Sequence, residues 1–397
     1  MQSWIVLFLL AVAGLASPAA DAAGPARAPA WQDVGPTVDD SYLSRSPSLA
    51  IAGRQQPVVA YVRTVTVPSD GRQVGHVFVE RWDGSAWLPQ GVALNVKRRF
   101  AAELPRVVVD AQDKPIVVWY EAQNEDAGRF AVYVKRWSGS AWEQLGGALN
   151  TDPRRSALSP SLALGPDQQP VVALAESAVG GLAVRVRRWD GAQWQLIGGP
   201  DDIGLGAETQ VAVDGAGQIT VAYTAEVSFG LRQVFAKRWD GTQWSPLGGP
   251  LNRDPARPSA SPSLAAAADG SVAIAWQEQA DNASKVYAAR WASGAAGWLA
   301  LGGALDGGVA SRSVVIPKLS LLKSGQPVVA WTEAATMQTH VQRWNGSAWL
   351  LLGDNPVIAT SQRGYDLRVD VMGRPVLAHG ESRAIFDGDV RVQRFGP

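Results

Sequence analysis

Short apolar runs alternate along the chain with clusters of Gly, Pro, Asp, Asn and Ser, and the runs come in sets of four. The first run of a set follows a Ser-Pro-Ser-Leu-Ala segment (Ser46 to Ala50, Ser159 to Ala163, Ser261 to Ala265). The second reads Pro-Val-Val-Ala (Pro57 to Ala60, Pro170 to Ala173, Pro327 to Ala330). The third ends on an Arg-Trp pair, as in Val132 to Trp137, and the fourth starts at a second Trp shortly after. Runs of about four to eight residues, spaced by roughly eight to twelve, predict the strands of an all-β protein.

The sets themselves repeat. The motif Trp-Asp-Gly-x-x-Trp, with Ser or Asn sometimes replacing Asp, appears at Trp82 to Trp87 and Trp137 to Trp142. It returns at Trp189 to Trp194, Trp239 to Trp244 and Trp344 to Trp349, with a longer version from Trp291 to Trp298. A period of about fifty residues with four strands in each selects a β-propeller over a sandwich or a simple barrel. Third strands end at Trp82, Trp137, Trp189, Trp239, Trp291, Trp344 and Phe395, so the expected count is seven blades. The last unit stops at Phe395-Gly396-Pro397 without a fourth strand, while Trp31 to Gly35 matches the Trp-x-x-Leu-Gly start of one. The expected fold is therefore a single seven-bladed β-propeller over 31–397, with four antiparallel strands per blade. An N-terminal strand would complete the last blade and leave no open boundary in the ring.

Two packing expectations follow. The Asp-Gly and Asn-Gly turns make a hairpin of strands three and four, so the two Trp face each other across it, a pairing worth about 0.5–1.5 kcal/mol beyond burial. Twelve of the 17 Trp sit in these hairpins, which reads as packing rather than binding. In strand two a small residue (Ala60, Ala173, Ala222, Ala275, Ala330, Ala378) precedes a usually large one (Tyr61, Tyr223, Trp276, Trp331). Neighbouring residues point to opposite faces, so a small face on one blade should meet a large face on the next.

The arrangement resembles secreted bacterial seven-bladed β-propeller repeat proteins over about residues 31 to 397. It is also loosely similar to three other propeller groups. Asp83-Gly84-x-x-Trp87 resembles the sialidase Asp-box, without its spacer or preceding hydroxyl residue. Trp82-Asp83, Trp189-Asp190 and Trp239-Asp240 resemble the WD dipeptide, without its Gly-His partner. The Gly-Gly pairs resemble kelch repeats but follow the Trp. The resemblance implies the architecture and transfers no activity residue by residue.

Composition agrees with many short strands: 46% of residues are hydrophobic, 18% are charged, and there are 41 Gly and 25 Pro. Lys+Arg and Asp+Glu are both 36, so no long-range field draws nucleic acid or an anionic membrane, and no nucleic-acid partner is expected. Ile5 to Ala16 is an apolar run of signal-peptide length before Ala20-Asp21-Ala22, though no Lys or Arg precedes it. We expect a signal peptide over 1–22 with cleavage after Ala22, a linker over 23–30, and a secreted or periplasmic monomer without stable membrane insertion. With no Cys, such a fold rests on its core.

Connectivity assigns the turns between strands one and two and between strands three and four to one rim. The longer loops between strands two and three, and from strand four to the next blade, fall on the other. That second rim is where function is expected. A Glu ends strand two at Glu121, Glu176, Glu278, Glu333 and Glu381, and Arg recurs in the loop before strand one at Arg99, Arg155, Arg257 and Arg312. Either these groups fix loop shape by pairing and by capping amides, or they form a polar ring that holds a glycan, a peptide or a cation. Five similar carboxylates argue against one tuned acid–base pair, so no catalytic residue is assigned. Blades one (Arg63), four (Glu208, Ala225, Glu226) and seven (Tyr365, Asp366, His379) break the pattern. They are where catalysis on polysaccharide would sit, with Tyr365 or Glu381 in the leading role. His76, His340 and His379 lack metal-ligand spacing, and no cofactor is expected. Asn150, Asp152, Asn252 and Asp254 offer oxygen to Ca²⁺, although turn chemistry accounts for them more simply. The reading is an exported non-enzymatic binding or scaffold propeller whose partner is a glycan, a cell-wall component or an extracytoplasmic protein. The alternative is a secreted polysaccharide hydrolase or lyase.

Overall fold

The computed structural model describes residues 28–396, apart from 40, 42–43, 125–127, 307–312, 337, 354–356, 359–363 and 385–386. For 357–358, 381–384 and 387 it describes the backbone alone. The expected leader lies outside the described residues. Strands form seven separate sheets arranged as a propeller, each built on four antiparallel strands, which follow sequence order in six of them. Blade one is Ser44–Ile51, Pro57–Thr66, Gln73–Trp82 and Trp87–Pro89, from the axis outward. Blade six gains a short fifth strand, Val357–Ile358, against its third strand. The only helical turn among the described residues is Gly53–Gln55, and no described helix is long and apolar enough to cross a membrane.

Blade seven closes as the sequence predicts. Its outer strand, Ala30–Asp33, pairs antiparallel with Asp387–Gly396, placing Trp31 opposite Phe395 and Asp33 opposite Gln393. The Trp31 and Phe395 rings lie 5.5 Å apart at 51°, close to the 5.5 Å and 54° of Trp82 and Trp87 in blade one. Phe395 thus takes the place of the first Trp of the motif.

The motif also joins each blade to its neighbours. The second Trp of a hairpin donates its Nε1 proton to a carbonyl of the preceding blade: Trp142 to Gln90 (2.6 Å), Trp194 to Leu145 (2.7 Å) and Trp244 to Ile197 (2.9 Å). The series continues with Trp298 to Leu247 (2.7 Å) and Trp349 to Leu301 (2.7 Å). Across the closure Trp31 donates to Leu352 (2.9 Å), and Trp87 donates to Pro36 (3.0 Å). The recurring Gly follows from this contact. Gly35, Gly91, Gly146, Gly198, Gly248, Gly302 and Gly353 all have φ between 69° and 82°. The incoming indoles lie over them, and a Cβ on Gly35 would sit 2.2 Å from the Trp82 ring. A left-handed turn with no side chain suits only glycine.

On the opposite side of blades one, two, four and seven the Arg of the Arg-Trp pair reaches forward to the next blade's short turn, whereas Arg188 and Arg290 pair with Asp167 and Asp269 of their own blades. Arg136 donates to the Gln168 carbonyl (3.0 Å), Arg238 to Gly270 (2.9 Å) and Arg394 of blade seven to Gln55 of blade one (2.7 Å). Between these contacts lies the apolar filling. Trp119 is fully buried against Val58, Ala60, Val62 and Val79 of the preceding blade. At the closure, Val376, Ala378, Val390 and Val392 pack on Leu49, Val59 and Tyr61. The small-to-large meeting of blade faces is as the sequence predicts.

The inner strands differ from expectation. The Ser-Pro-Ser-Leu-Ala segment lies inside the strand, not before it, because its first two residues form a bulge. Ser46 and Pro47 fall in the register break between the pairs Arg45–Val62 and Ser48–Ala60. The residue at this place takes a left-handed φ in every blade: 53° at Ser46, 48° at Leu104, 49° at Ser159, 50° at Glu208, 53° at Ser261, 53° at Ile316 and 88° at Gly364. The following Pro, present in five blades, has no N–H to leave unpaired on an edge strand.

Closure gives a direct prediction. Trp31→Phe keeps the ring and removes the donor, and should cost about 1 kcal/mol. Trp31→Ala should cost about 2–4 kcal/mol by losing the packing as well. Urea unfolding measures both, and an alanine variant as stable as the parent would contradict the closure.

Candidate functional site

The long-loop rim uses its glutamates to hold its own loops. The Glu121 carboxylate is fully buried and accepts from the Val96 amide (2.9 Å), the Lys97 amide (2.6 Å) and Trp119 Nε1 (3.0 Å). Glu278 repeats the arrangement with the Arg253 and Asp254 amides (2.8 and 2.9 Å) and Trp276 Nε1 (3.0 Å). Glu176 takes the Thr151 and Asp152 amides (2.6 and 3.0 Å), with Arg185 at 3.8 Å. In each case the end of strand two anchors the chain arriving from the previous blade. Burial raises the Glu121 carboxyl above the ordinary range even with these donors around it. Glu333 lies 3.7 Å from His340 Nε2. Glu381 is described by its backbone alone, and Arg312 lies outside the described residues.

Among the described residues, Arg99, Arg155 and Arg257 pair with aspartates and not with the strand-two glutamates. Arg155 lies 3.6 Å from Asp152 and donates to the Ser177 carbonyl (3.2 Å), while Arg257 pairs with Asp254 (3.6 Å) and Asp281. Arg99 lies 3.5 Å from Asp70. The loop asparagines are likewise engaged: Asn150 donates to the Phe130 and Arg155 carbonyls, and Asn252 to that of Arg257. Among the described residues no group of three or more His, Asp or Glu is gathered as for a metal ion.

The irregular blades resolve into local substitutions. Blade one reverses the charges of the glutamate anchor: Arg63 occupies the glutamate position, and Asp39 of the arriving chain pairs with it at 3.4 Å. In blade seven the Tyr365 hydroxyl is buried and points at the carbonyls of Ile316 and Ala330 in blade six, donating to the nearer, Ile316. Asp366 accepts from the Leu49 amide (2.9 Å) across the closure. His379 takes the place that Trp331 has in blade six, with no exposure and no partner on either ring nitrogen.

Two clefts of similar size open on this rim, one beside Val67, Phe78 and Arg98 between blades one and two and one between blades three and four, and the second carries the more exposed apolar groups. Here the connection from strand two to strand three is not long. Pro170–Ala178 meets Gly181–Trp189 through Val179 and Gly180, and Ile219–Ser228 meets Leu231–Trp239 through Phe229 and Gly230. Gly180 and Gly230, with φ of 88° and 74°, supply the turn that closes each hairpin in two residues. The tips carry Val179, 90% exposed, and Phe229, fully exposed, with Leu205 and Val227 about half exposed nearby. Between them runs a cleft of about 620 Å³ walled by Gly180, Gly181, Leu205, Gly206, Thr224, Glu226, Phe229 and Arg232. Glu226 faces Arg232 across the hairpin and accepts from the Gly230 amide (3.0 Å). Glu226 is singled out in the sequence as a pattern break, but Phe229 and Val179 are not. Their signal is a Gly directly after an apolar residue where blades one, two and five have longer polar loops.

No protein-family profile matches the chain, and no curated protein matches it by sequence. Solved structures match by shape. The polysaccharide lyase Uly1 has a TM-score of 0.58 at 10% identity, with 89% of this chain and 90% of that one covered. A protein of unknown function from Dyadobacter fermentans DSM 18053 gives 0.54 at 11%, with 93% and 100% covered. The β-propeller domain of the Trilobed protease from Pyrococcus furiosus gives 0.52 at 12%, with 88% and 94% covered. At these identities the likeness is one of fold.

His379 yields a pH prediction. Burial, reinforced by the Arg391 charge, lowers its imidazole from 6.5 to about 3. The unfolded chain therefore binds the extra proton first, and stability falls as pH drops below 6.5 towards 3. His379→Phe, an aromatic like its counterparts, should flatten this fall by up to about 1.4 kcal/mol per pH unit. Urea midpoints between pH 7 and 4 measure it, and parallel curves for parent and variant would reject it.

Proposed function

We propose that this chain is a non-enzymatic glycan-binding propeller, exported from the cytoplasm, that takes a polysaccharide segment in the cleft between the hairpins of blades three and four. The observation that carries the reading is Phe229, a fully exposed aromatic at a two-residue turn, with exposed Val179 at the matching turn of the neighbouring blade. Exposed apolar clusters of this kind mark interaction sites, and an aromatic side chain is the usual anchor. A sugar ring offers an apolar C–H face to such a ring and hydroxyls to a carboxylate and a guanidinium, here Glu226 and Arg232. The cleft is open and glycine-walled, which admits a chain passing through.

Binding without turnover is supported by the make-up of the cleft. Its lining holds one carboxylate and neither His nor Tyr, short of the two carboxyl groups that glycoside hydrolysis ordinarily uses. The buried rim glutamates spend their oxygens on loop amides. Because blades three and four alone build this cleft from two tight hairpins, one site per chain is expected rather than seven.

A glycan array followed by titration with the best polysaccharide tests the reading. Phe229→Ala should weaken binding by about tenfold or more and leave the melting temperature unchanged, since the side chain packs on nothing. A flat array, or a variant that binds like the parent, would overturn it.

A further inference from the structure

The bulge places one side chain from each inner strand at the same level of the central channel. These are the residues opposite the small position of strand two: Ser48, Arg106, Ser161, Gln210, Ser263, Lys318 and Asp366. Serine is the common member, and it ties neighbouring inner strands together. Ser48 Oγ accepts from the Val107 amide (3.1 Å) and Ser263 Oγ from the Leu319 amide (2.8 Å). Arg106 and Lys318 make no such tie. Arg106 donates only to the adjacent Pro105 carbonyl (3.1 Å), and neither cation has a carboxylate within ion-pair distance among the described residues. Both border a cavity of about 280 Å³, which Arg368 also lines from the next level.

Against these three cations the cavity holds one carboxylate, Asp366, and it is already engaged by Ser48, the Leu49 and Leu367 amides, and Arg368. Glu208 at the channel mouth accepts from the Ser261 amide, and Asp110, Asp214 and Asp370 at the short-turn end accept from their own turns. The other polar side chains on its wall are Ser263 and Ser320, which accept from the Leu319 and Val369 amides, Gln210, and Ser161, whose buried hydroxyl has no hydrogen-bond partner among the described residues; the rest of the wall is apolar. Two half-buried cations without an ion-pair partner, with a third that shares the one carboxylate, attract an anion. The cavity is smaller than the roughly 300–1,000 Å³ of drug-sized sites, so the fitting ligand is small.

We propose that the channel binds a small oxyanion, such as a carboxylate or sulfate group, between Arg106, Lys318 and Arg368, with Gln210 and Ser161 as further donors. This site is separate from the rim cleft. Its anion compensates charges that the fold leaves unpaired. Burial and the neighbouring Arg106 hold the Lys318 ammonium down at about 8, so the site carries its full charge at neutral pH and loses part of it in mild alkali.

Titration calorimetry of the full chain with sodium sulfate and with sodium glucuronate, at constant ionic strength, tests the site. One saturable event per chain is expected for at least one probe, and which probe binds more tightly tells a free inorganic anion from a sugar acid. Arg106→Gln and Lys318→Gln should each weaken it by about tenfold or more, while Lys318→Arg retains it and removes the decline seen in the parent above pH 8. Phe229→Ala should leave it unchanged, so this site and the rim cleft succeed or fail separately. Absence of saturable binding of both probes would overturn the proposal. So would equal affinity for uncharged glucose, or binding that survives both glutamine variants.

Discussion

Each blade of this propeller is a sheet with two apolar faces, and it becomes stable only when a neighbour covers each of them. The indole contact from the outer strand sets how neighbours meet. A Trp from one blade lies over the left-handed Gly of the previous blade and donates to a carbonyl there, around all seven blades. The donor, the bare glycine and the carbonyl specify one another, which explains why Trp, Gly and the spacing between them recur together. In four blades the Arg of the same motif makes a second attachment, forward to the next blade. A motif of a few residues thus carries both the hairpin and its joints. Because a ring has no end blade, the contact has to be made once between the two ends of the chain, and Trp31 makes it.

Closure was legible because the outer strand carries a chemical signature. Trp31 to Gly35 matches the other outer strands closely enough to predict its partner, and it pairs with the strand leading to Phe395. The alternation of small and large residues likewise predicts the packing between blades, since the two faces of a strand are read directly from neighbouring positions. The bulge was not legible. A proline normally marks the edge of a strand, and nothing in Ser46-Pro47 announces a left-handed φ that carries the strand through it. The long-loop rim differs from expectation for a related reason. Strand two and strand three of blades three and four run on into two-residue turns, where the sequence shows only Gly beside an apolar residue.

The chemistry was harder to read than the fold, because position within a repeat does not state what a side chain is bonded to. The repeating glutamates look like a ring of candidate ligands. Two readings were open from sequence, and Glu121, Glu176 and Glu278 adopt the one in which carboxylates cap loop amides. Arg106 and Lys318 were invisible for the opposite reason. Each sits in an ordinary inner strand, and only the pairing register shows that both occupy a level where serine is the norm. Exceptions to the repeat separate into two kinds. Those of blade seven (Tyr365, Asp366, His379) are absorbed by packing and by backbone bonds, whereas Phe229, Arg106 and Lys318 are left with unfilled contacts.

The seven indole donors form one continuous joint that includes the chain ends. Hydrogen exchange of the indole N–H groups, followed by NMR on ¹⁵N-labelled protein, tests it most directly. The account predicts that the N–H groups of Trp31, Trp87, Trp142, Trp194, Trp244, Trp298 and Trp349 exchange slowly and as a set, at rates that follow global unfolding. An indole of Trp31 that exchanges freely while the other six stay protected would contradict it.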